Sequence, residues 1–354
     1  MSYRVEIREE RARMVLPDGR SVERTVQVRI HPLTGDTVRV LTPPHRPLRI
    51  PDLVAEYGHT REHCPFCPEA VEAQTPSFSP GDLGEPRIRV GEVRVFPNLL
   101  AYSGVCAVSV LTREHFVGIE QLSPAVLSDA FAAARIFFDR TRRSRPDLPV
   151  RLLHWNYMPP AGSSILHPHH QLMATAIPPT RLRRLAEGAD SLQVPPGDNP
   201  WEEVVRAERE AGKRWLGEHG PWRFFVDPAP QGRFFEWVGV HRAKSDLADL
   251  DAQDYDGLIG PLLTLFRYLA SQGLWSFNLA LMGLPEGDRR FRCQVRLVPR
   301  AVFPPAACSD IHFDVIEHEP MVLRAPEEVA EELRAAFRGS EQNLETPGPK
   351  TDDR

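Results

Sequence analysis

His167-Pro168-His169-His170-Gln171-Leu172-Met173-Ala174-Thr175 is the stretch from which the fold is read. Residues alternate across a β-strand, so His167, His169 and Gln171 share one face while His170 points to the other. One face thus presents two imidazoles and a carboxamide. A neutral imidazole, abundant near its ordinary pKa of about 6.5, attacks phosphorus to give a phosphoramidate that can be passed on. Metal binding or surface chance is the plainer reading of a histidine cluster, so the neighbouring residues must decide. Just upstream, Gly162-Ser163-Ser164 is either a plain loop or a set of small residues whose N–H groups and hydroxyls approach phosphate oxygens.

Outward from this strand the chain repeats in outline. Val110-Leu111-Thr112-Arg113-Glu114-His115, then Leu122-Ser123-Pro124 and a helix ending in Ile136-Phe137-Phe138, return at 240–269 as Val240-His241-Arg242-Ala243-Lys244, Asp249-Leu250-Asp251 and a helix containing Leu262-Leu263-Thr264-Leu265-Phe266. Each helix leads into a strand with an asparagine, Asn156 or Asn278, and then into a further strand, 167–175 or 291–299. Loose alignment of any two α+β segments is the competing explanation. The repeat predicts an α+β fold of two similar halves sharing one core, each an antiparallel sheet with helices, related by internal duplication. The boundaries expected are 1–195 and 196–338, followed by a disordered tail, 339–354. A hairpin is expected around Pro17-Asp18-Gly19 (4–8, 12–16 and 22–30), with single strands at 37–41, 88–96 and 105–111. Ser123 and Pro124 suit the start of a helix running to about Arg140, and a polar surface helix is expected at 200–216.

With 43 Lys+Arg against 48 Asp+Glu, the formal charge of -5 argues against a dedicated nucleic-acid surface and leaves room for a basic phosphate pocket. No apolar run reaches the ~20 residues of a spanning helix, and the first residues lack an apolar signal region, so no membrane association and a cytoplasmic location are expected. Cys64-Pro65-Phe66-Cys67 supplies two thiolates of a tetrahedral zinc site, with redox chemistry as the competing reading and no thioredoxin-like strand and helix beside it. His115 and His167 could complete a Cys2His2 site that pins the strand carrying His169. Cys106, Cys293 and Cys308 read as buried thiols, and His241, His312 and His318 as surface or satisfied core residues.

The pattern resembles the galactose-1-phosphate uridylyltransferase family of the histidine-triad superfamily over about residues 27–340. Landmarks fall in order: Pro32-Leu33-Thr34-Gly35; His45-Arg46 and Arg49; Cys64 and Cys67; Phe96 and Asn98; His115; Asn156, eleven residues before His167; Gly162 and Ser164; His167, His169 and Gln171. The resemblance implies two histidine-triad-like halves, zinc on Cys64, Cys67, His115 and His167, and His169 as the nucleophile. It also implies phosphoryl contacts from Gln171 and Ser164, to which the small residues Gly162 and Ser163 of the same loop are added as candidate phosphate contacts, and a nucleophile region oriented by Asn156. Phe96 and Asn98 would meet base and ribose, and Arg46 and Arg49 would neutralise phosphate across a homodimer interface. Gln171, which unlike histidine cannot shuttle protons, favours a transferase over a hydrolase.

The second half departs from the family. Asn278, Gln294 and Arg296 stand where some members carry metal-binding histidines, so no second metal is expected. Phe313-Asp314 resembles the family's sugar-reading pair with a shorter acid, while Trp155 stands where the family commonly has an acidic residue and Tyr157-Met158-Pro159-Pro160 replaces a small-residue stretch, which makes the phosphate-side loop bulkier. The function expected is nucleotidyl transfer between a nucleotide sugar and a hexose 1-phosphate through a covalent nucleotidyl-histidine, with sugar and base open. A nucleotide-sugar or dinucleoside polyphosphate phosphorylase and a non-catalytic nucleotide-binding zinc protein are the alternatives.

Overall fold

Apolar alternation separated by turns yields fourteen strands among the described residues, which in this computed structural model are 2–44, 46–195, 197–303 and 312–345. They are β1 (Glu6–Val15), β2 (Ser21–Ile30), β3 (Thr37–Val40), β4 (Ile88–Val90), β5 (Val93–Pro97), β6 (Val105–Val110), β7 (Val150–Tyr157), β8 (His169–Thr175), β9 (Trp215–His219), β10 (Trp222–Val226), β11 (Trp237–His241), β12 (Ser276–Gly283), β13 (Gln294–Arg300) and β14 (Met321–Val322). The helices are α1 (Leu53–Tyr57), α2 (Val71–Gln74), α3 (Pro80–Leu83), α4 (Pro124–Ser144), α5 (Thr180–Asp190), α6 (Pro200–Ala211), α7 (Ala252–Ser271), α8 (His312–Val315) and α9 (Pro326–Glu345). His45, Cys308 and the last part of the expected tail, 346–354, lie outside the described residues.

Ten strands form one antiparallel sheet in the order β4-β5-β6-β8-β7-β12-β13-β11-β10-β9. At its centre β7 pairs with β12, and Asn156 faces Asn278. Reading outward from that seam, β7, β8, β6, β5, β4 and β12, β13, β11, β10, β9 follow the same order of connection on the two sides. The fold is α+β, as the alternating pattern of strands and amphipathic helices required. A smaller sheet, β1-β2-β3-β14, carries the expected hairpin.

Helices α4 and α7 cover one face of the large sheet because their apolar stripes must leave water. Ser123 caps α4 by accepting from the Val126 N–H with Pro124 in the first turn, and Asp251 and Asp254 form a capping box on α7. Between helices and sheet, Phe137, Phe138, Trp155, Phe266 and Phe277 are almost fully buried. Each such ring contributes roughly 1.5–3 kcal/mol. Trp155 packs edge-on against Phe277 at 5.1 Å between ring centres.

Three local expectations are corrected. The stretch 88–96 is two strands, because Gly91 with φ +50° turns the chain between β4 and β5. Helix 200–216 stops at Ala211, where Gly212 adopts φ +66°, and Trp215 begins β9. Helix α6 lies at the surface as expected, with Arg206, Arg209 and Glu210 exposed, and it buries a stripe of Trp201, Val204, Val205 and Glu208, the last paired with Arg214 at 2.8 Å. In the region expected to be tail, α9 continues to Glu345.

His170 points into the helix-covered core, 4.7 Å from the Trp155 ring, with its Nδ1 lacking a hydrogen-bond partner. Burial pushes its pKa down to about 3. The unfolded chain takes up this proton near pH 6.5, the folded chain only near pH 3, so the stability is complete above pH 6.5 and falls as pH drops through that window. Urea titrations should lose up to about 1.4 kcal/mol per pH unit below 6.5 from this residue. His170→Leu should flatten the profile by that amount, and an unchanged slope would contradict the assignment.

Candidate metal and phosphoryl-transfer site

The other face of the sheet, on the β5-β6-β8-β7 side, gathers the residues singled out by sequence. Cys64, Cys67, His115 and His167 are all buried, and their ligand atoms lie within 4.8 Å of one another. Cys67 Sγ is 3.5 Å from His115 Nδ1 and 3.7 Å from His167 Nδ1, and Cys64 Sγ is 3.8 Å from His167 Nδ1. A tetrahedron with metal–sulfur bonds near 2.3 Å and metal–nitrogen bonds near 2.0 Å has sulfur–nitrogen edges of about 3.5 Å, so the donors fit a single tetrahedral metal ion.

Both rings are held with Nδ1 turned inward. His167 Nε2 donates to the Thr112 carbonyl at 2.7 Å. His115 Nε2 meets the Thr60 hydroxyl at 2.9 Å, whose own proton goes to the Tyr57 carbonyl. Such outer contacts fix the tautomer a metal needs. Burial and then Cys64 alongside push the Cys67 thiol up to about 12, a cost that a dication between the sulfurs removes.

His169 opens β8 beside this cluster. Its Nδ1 lies 2.8 Å from the His167 carbonyl oxygen. A carbonyl only accepts, so Nδ1 carries the proton and Nε2 keeps its lone pair. Phe66, between the two cysteines, packs edge-on against the His169 ring at 5.2 Å and the His167 ring at 6.5 Å. Burial lowers the His169 pKa, keeping the ring in its neutral, nucleophilic form at neutral pH. The residue as a whole is 8% exposed.

The loop before β8 contains Met158 at φ +71° and Gly162 at φ +82°, and Asn278 donates to the Ala161 carbonyl at 2.8 Å. Ser164 is exposed, while Ser163 donates to the Ile165 carbonyl at 2.7 Å. Asn156 accepts from Asn278 at 2.8 Å. His154, Asn156, Gln171, Arg181, Glu236, Asn278 and Arg296 line a cavity of about 250 Å³ on this face.

Phe96 is only 2% exposed, edge-on to Phe66 at 5.6 Å and under Arg87 at 5.3 Å. It is a wall of the metal site in this conformation. Asn98 accepts from the Leu100 N–H and sets the turn that follows. Arg46 and Arg49 are exposed, with Arg49 lining a separate cavity with Tyr57, Pro159, Pro160 and Trp275. Phe313 and Asp314 lie in α8, where Asp314 accepts from the Met321 N–H and, with Arg233, lines a different depression.

Where a second metal was not expected, Arg296 pairs with Asp227 at 2.9 Å and Glu236 at 2.8 Å, and Arg181 with Glu236 at 3.0 Å. Burial opposes ionisation of Asp227, yet His31, Arg296 and Arg181 hold its carboxyl well below the usual range. His241 is a satisfied core residue, bonded to Asp254 at 2.9 Å. Sequence reasoning passed over Phe66, Tyr102 and His154. Phe66 could have been found from its place between the metal-binding cysteines, and His154 from the alternation of β7 that sets it on the same face as Asn156.

Comparison with known proteins bears on this geometry. No family model matches the sequence. An uncharacterized protein of Archaeoglobus fulgidus is 28% identical over 324 residues, covering 90% of this chain and 95% of that protein. A galactose-1-phosphate uridylyltransferase of Streptomyces lividans is 28% identical over 245 residues, covering 66% of this chain and 62% of that protein. Among solved structures, an ADP-glucose phosphorylase from Arabidopsis thaliana with bound ADP-glucose superposes with TM-score 0.66 at 17% identity, covering 87% of this chain and 98% of that one. A uridylyltransferase structure superposes with TM-score 0.61 at 19% identity, covering 88% and 98%. The chain therefore has the fold of these enzymes and resembles the galactose-1-phosphate uridylyltransferase family in sequence. Among the described residues no helix is long and apolar enough to cross a membrane.

Proposed function

We propose that the chain is a nucleotidyltransferase that moves a nucleoside monophosphate between a nucleotide sugar and a hexose 1-phosphate through a covalent bond to His169. The observation that carries the reading is the His169 Nδ1 to His167 carbonyl hydrogen bond, which leaves Nε2 unprotonated. In the first half-reaction Nε2 attacks the α-phosphorus, an N–P bond forms, and the P–O bond to the hexose 1-phosphate breaks. The ring becomes cationic, and the His167 carbonyl stabilises it through Nδ1–H. In the second half-reaction an acceptor phosphate oxygen attacks the same phosphorus and Nε2 leaves.

Gln171 and Ser164 donate to the phosphoryl oxygens, and Asn156 orients the region in concert with Asn278; the Gly162 N–H and the Ser163 N–H and hydroxyl are engaged by the Pro159, Met158 and Ile165 carbonyls and shape the loop instead. Phosphoryl transfer asks chiefly for such positioning and charge neutralisation. Arg46 and Arg49, on an exposed arm, neutralise phosphate across a homodimer interface. Zinc on Cys64, Cys67, His115 and His167 is structural, because four protein donors close its coordination. Phe96 and Asn98 border the nucleoside site, and Phe313 and Asp314 contribute to sugar binding. The N-terminal half, 1–195, then carries metal and nucleophile, and 196–338 is a duplicated half on the acceptor side.

Initial-rate kinetics test this. With UDP-glucose or ADP-glucose varied against galactose 1-phosphate, parallel double-reciprocal lines are expected for two half-reactions through one intermediate. Converging lines would contradict it. Inorganic phosphate as the productive acceptor would redirect the reading to the phosphorylase chemistry named in the Arabidopsis thaliana structure.

A further inference from the structure

Leu99 and Leu100 are 83% and 81% exposed in the turn between β5 and β6, which also carries Tyr102, 55% exposed beside the candidate site. Asn98 holds the turn, and the Tyr102 hydroxyl also lies against the Cys106 thiol. Asn98 N–H donates to the Cys106 carbonyl at 2.8 Å, Asn98 Nδ2 points to Cys106 Sγ at 3.7 Å, and Asn98 Oδ1 accepts from the Leu100 N–H at 3.1 Å. Tyr102 Oη reaches to β8 and donates to Gln171 Oε1 at 2.7 Å.

A carboxamide has one end that accepts and one that donates, and only the donating end can bind a phosphoryl oxygen. Gln171 lies on the His169 face of β8, opposite Val108 of β6 and His154 of β7. With Oε1 engaged by the phenol, Nε2 is the end left to face a ligand. Without the phenol the amide can turn over and set its carbonyl oxygen against phosphate oxygens, which repels them. Burial, and then the Cys106 thiol, push the Tyr102 pKa upward, so the hydroxyl remains a donor throughout the neutral range.

We infer that Tyr102 is a positioning residue that fixes the Gln171 carboxamide with its N–H end toward the transferred phosphoryl group. The inference rests on the nucleotidyl-His169 reading and adds to it a residue that governs the rate of transfer rather than the hold on the donor.

A double-mutant cycle tests it, reading the rate and donor dependence of adduct formation with UDP-glucose and ADP-glucose. Tyr102→Phe, which keeps an exposed ring, should slow adduct formation about tenfold, the worth of one hydrogen bond to a charged group, at nearly unchanged half-saturating donor concentration. Metal content and melting temperature should match wild type. In a Gln171→Ala background the same substitution should change the rate by less than about twofold, because the group it orients is gone. A tenfold loss in both backgrounds, or no loss in either, would overturn the inference while leaving the His169 reading intact. Absence of adduct in wild type would overturn both.

Discussion

Replacing His169 with asparagine should abolish nucleotidyl transfer and leave the protein folded with its metal. The asparagine side-chain amide can take the place of Nδ1–H as donor to the His167 carbonyl, the 2.8 Å contact that orients the ring. Nothing in asparagine takes the place of Nε2. Loss of a covalent nucleophile typically costs roughly 10⁴-fold or more, because the remaining binding groups cannot supply a second route of comparable rate. Release of glucose 1-phosphate from UDP-glucose or ADP-glucose should fall by that factor, with metal content unchanged. Residual activity within about tenfold of wild type would remove His169 from the reaction.

The second large effect is on stability. Cys67→Ala deletes a sulfur that lies 3.5 Å and 3.7 Å from the two histidine ligand atoms. Three remaining donors should not retain the ion through gel filtration, so bound zinc should drop from a single equivalent per chain to near zero. Metal binding to a preformed site is folding free energy, and its loss should lower the melting temperature by on the order of 10–20 °C. Transfer should fall as well, because the His167 carbonyl that orients His169 belongs to a metal ligand. An unchanged melting temperature with full activity would show that the four residues hold no ion that matters to the fold. The two variants separate the roles: His169→Asn loses activity and keeps metal, whereas Cys67→Ala loses metal first.

Much of the site was legible in the sequence because it is local. Cys64 and Cys67 sit on one knuckle, and His167, His169 and Gln171 share a strand face, so a spacing rule suffices for each. The closure of the cluster by His115 also emerged, since that residue follows directly on a strand adjacent to β8. What sequence did not supply depends on contacts between distant segments. Phe96 alternates correctly for the site face, but Phe66 and Arg87 cover it, and neither could be placed over it from spacing alone. Tyr102 reaches Gln171 across 69 positions of sequence, a contact that only the pairing of β6 with β8 brings about.

The fold was legible at the level of class and less so at its boundaries. Long periodic segments such as α4 and α7 were found where expected, since their apolar stripes repeat over several turns. Single glycines decided the errors. Gly91 splits one apparent strand into a hairpin, and Gly212 ends α6 before the chain reaches β9. The buried face of α6 was missed because its polar composition hides a stripe of Trp201, Val204, Val205 and Glu208, in which the acid is neutralised by Arg214. The Arg296, Asp227 and Glu236 cluster likewise reads as scattered charge until β10, β11 and β13 are side by side.

Intact-protein mass spectrometry after brief exposure to UDP-, ADP- and GDP-sugars tests the central claim most directly. A mass increase of one nucleoside monophosphate, absent in His169→Asn, is the predicted result, and its size identifies the base. A wild-type protein that gains no mass from any donor, or a His169→Asn protein that gains the same mass as wild type, would contradict the covalent His169 mechanism.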